Sequence, residues 1–184
     1  MSARRLPLLA CAVLALGLTA CGGGKSSASA HPLGEQVVVQ HTEIASQGKQ
    51  APTTTLGITV LHVRKGTQAE LKAGGYEIDA KDQSKTPYYV DVRYANKGSE
   101  AIKRQLYVGM EDGDGNLINA TTIFDFGGKP FAKCPNLNDG MLEPGQSFQT
   151  CTLFLVPEGK EPSKVSFLPY DPKHETEFVY WKAA

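Results

Sequence analysis

Charge of one sign is missing from this sequence of 184 residues: 19 Lys and Arg stand against 19 Asp and Glu, for a formal net charge of +0. Proteins that bind nucleic acid by neutralising phosphates carry a basic excess, so that class is disfavoured. Long apolar runs are nearly absent too. The one run, Leu6 to Gly17, falls short of the ~20 apolar residues a bilayer-spanning helix needs, which excludes a polytopic membrane protein. Catalytic signatures are also lacking. Gly145-Gln146-Ser147-Phe148-Gln149 has no second glycine for a nucleophile elbow, and no glycine loop precedes a helix where it could cradle phosphate. His174-Glu175 is a lone pair, read as a surface feature. These absences argue against an enzyme, and they call for no cofactor. No internal repeat can be aligned.

What is present begins with an export signal. Arg4 and Arg5 form a positive n-region ahead of the apolar stretch, which ends in Leu18-Thr19-Ala20-Cys21 and three glycines. The segment resembles the lipobox of bacterial lipoproteins. That resemblance implies diacylglyceryl transfer to the Cys21 thiol and cleavage after Ala20, which makes residues 1–20 a lipoprotein signal peptide. Two acyl chains would anchor the mature protein to the membrane, at ~0.8 kcal/mol per buried methylene. The expected location is the outer face of the cell membrane. Residues 21–54 are rich in Gly, Ser and Thr and are read as a flexible tether, in which Val37-Val38-Val39 either frays or lies against the domain.

The folded unit is expected over residues 55–184 as an all-β, antiparallel sandwich of about seven strands. Leu56 to Val63 is a β-branched run stopping at Lys65-Gly66, and Thr67 to Ala73 is the one helix-like stretch. From Tyr88 to Tyr94 the alternation is clearest, with Tyr88, Val90, Val92 and Tyr94 on one face. Further strands are read at Arg104 to Glu111, Leu117 to Phe124, Phe148 to Val156, Val165 to Leu168 and Glu177 to Trp181, divided by Gly, Pro, Asn and Asp turns.

Four features follow one another in order: Asn96-Lys97-Gly98 after a strand, the Asp114-Gly115-Asn116 turn, Leu142-Glu143-Pro144-Gly145, and Phe154-Leu155-Val156-Pro157. Together they resemble the immunoglobulin-like domain of unknown function found in many Gram-positive lipoproteins, to which the mycobacterial immunoprotective extracellular protein is related in fold. The resemblance spans roughly Thr55 to Leu168 and implies an immunoglobulin-like sandwich. It carries over no catalytic residue.

Once Cys11 leaves with the signal and Cys21 is lipidated, Cys134 and Cys151 remain, and a single pair has a single connectivity. A disulfide closing a loop of this length is worth ~3 kcal/mol in the chain-entropy model. The competing reading is a zinc site with two of His31, His41, His62 and His174, against which the wide cysteine spacing counts. Asp112-Gly113-Asp114-Gly115-Asn116 is either a hairpin turn with an acidic tip or a loose calcium site; it fails as an EF-hand because Leu117 stands where the loop glycine belongs. Phe124, Phe126 and Phe131 around Gly127-Gly128 form either a cap on the core or an exposed recognition edge, and they are the candidate partner-binding residues. The functional expectation is a non-enzymatic module binding a protein or a cell-wall component. The alternative is an accessory that holds a small ligand or metal ion at the end of the sandwich, favoured if an apolar pocket with convergent polar groups exists.

Overall fold

The computed structural model describes residues 29–44, 51–76, 78–121 and 131–183. Strands β1 (Gln36–Thr42), β2 (Thr53–Lys65), β3 (Thr86–Asn96), β7 (Ala120–Thr121) and β9 (Ser147–Val156) form one sheet, ordered β1-β2-β3-β9-β7. The second sheet, ordered β11-β10-β5-β6, contains β5 (Gly109–Asp112), β6 (Leu117–Ile118), β10 (Pro162–Phe167) and β11 (Val179–Lys182). Two short strands, β4 (Ile102–Lys103) and β8 (Met141–Leu142), pair by themselves. All ladders between these strands are antiparallel. The immunoglobulin-like sandwich expected from the sequence is the architecture found.

Alternation sets which side chains meet between the sheets. Tyr88, Val90, Val92 and Tyr94 of β3 share one cluster with Leu56, Ile58 and Val60 of β2, and with Met110, Val165, Phe167 and Trp181 of the opposing sheet. The Asn-x-Gly signature after β3 acts as a polar hub. Asn96 is buried; its Oδ1 accepts from the Thr54 hydroxyl and the Gly98 N–H, and its Nδ2 donates to the carbonyls of Glu100 (2.7 Å) and Leu142 (2.9 Å). Any Cβ at residue 98 would stand 2.7 Å from the Thr55 nitrogen, so only glycine lets the chain pass there.

Three expectations need correction. First, the tether does not extend to residue 54. Val37 to Val39 do not fray: β1 pairs with β2 in unbroken register from Gln36↔Thr59 to Thr42↔Thr53, and before it His31 bridges Trp181 in parallel on β11. Burial alternates along β1, with Val37 and Val39 turned to the core and Gln36, Val38 and Gln40 to solvent, which suits an edge strand. Second, the stretch expected as a strand from Arg104 joins a ladder only at Gly109, where β5 begins. Third, Phe131 is not an exposed edge residue, being 8% exposed. It belongs to a second cluster on the outer face of the larger sheet, with Leu71 of the helix α1 (Gln68–Ala73), Tyr89 of β3, and Cys151 and Leu153 of β9. Its ring meets Tyr76 edge-on at 5.2 Å.

A β-bulge between Val60 and His62 sets up that outer face by turning Arg64 to the same side as Asp91. Arg64 then grips Asp91 with two hydrogen bonds (2.8 and 3.1 Å) and donates a third to the Lys133 carbonyl (2.8 Å). The Cys134–Cys151 disulfide, with Cα atoms 4.9 Å apart, pins the same segment to β9. Helix α1 starts with a capping box between Thr67 and Glu70, and Glu70 in turn pairs with Lys133.

Candidate ligand cleft at one end of the sandwich

Where β1 ends, the segments following β4 and β10 meet it around a cleft of about 430 Å³. Leu106 and Phe167, both buried, form its apolar floor. Around them stand Ile44, Tyr107, Leu168 and Tyr170, exposed by 81%, 59%, 47% and 41%. Those four are nearly half of the nine large apolar side chains left exposed among the described residues, so the exposure is gathered here rather than scattered.

The clasp that shapes the cleft comes from backbone polarity. The Thr42 N–H donates to the Tyr170 carbonyl (2.7 Å), and the Tyr170 N–H donates to His41 Nδ1 (3.3 Å), so the end of β1 is tied to the strand-to-strand connection after β10. An imidazole that accepts at Nδ1 carries its proton on Nε2 and is neutral. Burial pushes the His41 pKa below its ordinary value of 6.5, and the neighbouring Glu43 carboxylate offsets this only in part. Its ring also packs against Phe167 at 5.7 Å. Glu43 is held by the backbone N–H of Lys103. The Lys103 ammonium and the Gln105 amide, both at the cleft, have no hydrogen-bond or ion-pair partner among the described residues. The lining includes no Ser, Thr or Cys that could act as a nucleophile. It offers apolar walls with an imidazole N–H, a carboxylate, an amide and a cation at the margin.

The site residues expected from sequence fall elsewhere. Cys21, Phe124 and Phe126 lie outside the described residues. Phe131 is in the outer-face cluster, and the disulfide pair sits beneath the same segment. Asp112 is consumed by its own turn. Its carboxylate accepts from the backbone N–H groups of Asp114 (2.9 Å) and Asn116 (2.8 Å) and from the Asn116 side chain (2.9 Å), which hold its pKa below the ordinary carboxylate value. Asp114 pairs with Lys160, and among the described residues no three His, Cys, Asp or Glu side chains gather as a metal would require. The cleft escaped sequence reading because its residues come from three separate stretches. The one signal available was the apolar Ile44, Leu168 and Tyr170, each standing just beyond a strand.

No protein-family model and no curated protein matches the sequence. Among solved structures, the chain is similar to MPT63, a secreted protein from Mycobacterium tuberculosis, with 12% identity, a TM-score of 0.51, and coverage of 85% of this chain and 98% of that one. It is also similar to the yjhA protein from Bacillus subtilis, at 14% identity and a TM-score of 0.46, over 83% of this chain and 99% of that one. The first likeness shows a shared sandwich fold; at such identity it says nothing of activity.

Proposed function

We propose that this chain is an exported, lipid-anchored immunoglobulin-like module that captures a small, largely apolar ligand without transforming it. The observation that supports this reading is the convergence of Ile44, Tyr107, Leu168 and Tyr170 on one cleft that also holds an unpartnered ammonium and amide. At about 430 Å³ the cleft lies within the ~300–1,000 Å³ range of small-molecule sites. The burial of Phe131 removes one of the three rings on which recognition of a protein or cell-wall partner was to rest. Anchoring follows from the lipobox: labelled palmitate should enter the wild-type protein and not Cys21→Ala, and unlabelled wild-type protein in the medium would exclude it.

The ligand reading is tested by titrating a set of small aromatic and aliphatic compounds into isotope-labelled mature protein. Amide shifts should concentrate at His41, Tyr107, Leu168 and Tyr170. Tyr107→Ala, at an exposed position, should weaken binding roughly tenfold while leaving the melting temperature in place, the loss corresponding to about 1.4 kcal/mol. Shifts confined to other surfaces, or affinity unaltered by Tyr107→Ala, would overturn the assignment.

A further inference from the structure

No helix or strand among the described residues packs over the outer face of the smaller sheet, where Ser166 is buried only by its neighbours, whereas α1 and the disulfide-bonded segment lie over that of the larger sheet. Phe178 and Leu117, exposed by 42% and 60%, stand there with the half-buried Tyr180. The Phe178 and Tyr180 rings pair at 5.9 Å, and the Lys164 ammonium lies over the Tyr180 ring at 4.9 Å, with Lys182 directly across the ladder from Lys164. Lys164 is shared with the Glu111 carboxylate (3.9 Å), which leaves the aromatic pair and Lys182 to match the chemistry of the bilayer interface, where rings sit at headgroup level and ammonium groups meet lipid phosphates.

Chain length says which surface would meet that face. His31 is fixed to β11: its N–H donates to the Tyr180 carbonyl and its carbonyl accepts from the Lys182 N–H, each at 2.8 Å. Only the nine residues from Gly22 to Ala30 separate this point from Cys21. Nine residues reach at most about 30 Å when fully extended, against roughly 100 Å had the tether run to residue 54. A domain of this size is itself some 30–40 Å across. An anchor on Cys21 would therefore hold the β11 side within about 30 Å of the bilayer, less than the width of the domain, and turn that side toward it.

We propose that the outer face of the β11-β10-β5-β6 sheet, led by Phe178 and Tyr180, docks on the lipid surface that the chain's own anchor occupies. This rests on the reading of Cys21 as lipidated, and the test separates the two. Full-length protein carrying Phe178→p-benzoylphenylalanine is expressed with labelled palmitate, reconstituted in phosphatidylcholine–phosphatidylglycerol vesicles and irradiated. Leu117 is substituted likewise as a second reporter, and the exposed Leu137, at the larger sheet, as the control. Lipid adducts are expected at 178 and 117, at least fivefold above those at 137. Acylated protein with no excess at 178 and 117 overturns the docked face while leaving the anchor intact. Protein that takes up no label overturns the anchor, and the docked face with it.

Discussion

Replacing Asn96 by Ala tests whether the Asn-x-Gly signature is a structural hub rather than ordinary turn chemistry. The substitution removes four hydrogen bonds, but their loss is unequal. Glu100 is exposed and Gly98 partly so, and water can take over their carbonyl and N–H groups. The Thr54 hydroxyl and the Leu142 carbonyl belong to residues 2% and 0% exposed, and water does not reach them. A buried polar group left without a partner costs ~1–3 kcal/mol, so the two together predict a loss of about 2–5 kcal/mol. For a domain of this size each kcal/mol lowers the melting temperature by ~2–4 °C, which places the variant about 5–15 °C below wild type. Circular-dichroism melts would show the shift, and urea titration should show a lower midpoint with an unchanged slope. Asn96→Asp should be no milder, because a carboxylate facing the Leu142 and Glu100 carbonyls supplies no donor. A loss below about 1 kcal/mol for Asn96→Ala would refute the hub and leave β3, β8 and the turn before β9 held by backbone pairing alone.

The other perturbations act on separate parts of the molecule. Reduction of the Cys134–Cys151 bond, which closes a sequence separation of 17, should lower stability by ~3 kcal/mol; purified non-reduced protein with two titratable thiols would contradict the pairing. Phe131→Ala should cost ~3–5 kcal/mol by opening a cavity under α1, with ligand shifts at the cleft unaltered; a stable variant that no longer binds would return Phe131 to the recognition surface. Because burial lowers the folded pKa of His41, its contribution to stability is complete above pH 6.5 and is lost as pH falls through the folded value, where the unfolded chain takes up a proton that the folded imidazole resists. His41→Gln should flatten that part of the stability profile, and a nuclear magnetic resonance titration of His41 with a midpoint above 6.5 would reverse the sign.

The fold was legible where side chains declare a period or a turn. Strand β3 alternates cleanly, β2 is a β-branched run stopped by Gly66, and Thr67 to Ala73 is the one helix-like stretch. Two kinds of information were not legible. Strand β1 is seven residues of Gln, Val, His and Thr next to a Gly/Ser-rich leader, too weak a pattern to show an edge strand whose partner confers its order. The second apolar layer was hidden because alternation in β3 marks one face for the core and says nothing of what covers Tyr89 and Asp91 on the other, where α1 and the disulfide-bonded segment lie. The same reason keeps both readings of Phe131 open in the sequence: clustered aromatic residues do not reveal whether a sheet lies beneath them.

Strand β1 joins these findings physically. At its start the chain is tied to β11, near the face assigned to lipid, and at its end His41 and Glu43 form a wall of the cleft. Seven residues of strand cover roughly 20 Å, so the link to β11 and the cleft lie at opposite ends of one element. A ligand that binds only when that wall is in place must stabilise the docked state of β1 by RT ln(1 + [L]/Kd), ~2.7 kcal/mol at a hundredfold excess over Kd. The same coupling runs backwards. A perturbation that peels β1 from β2 removes His41, breaks its contact with the Tyr170 N–H and opens the cleft. An edge strand is the element best suited to such coupling, because it can leave one side of a sheet without disturbing the core ladder between β2, β3 and β9.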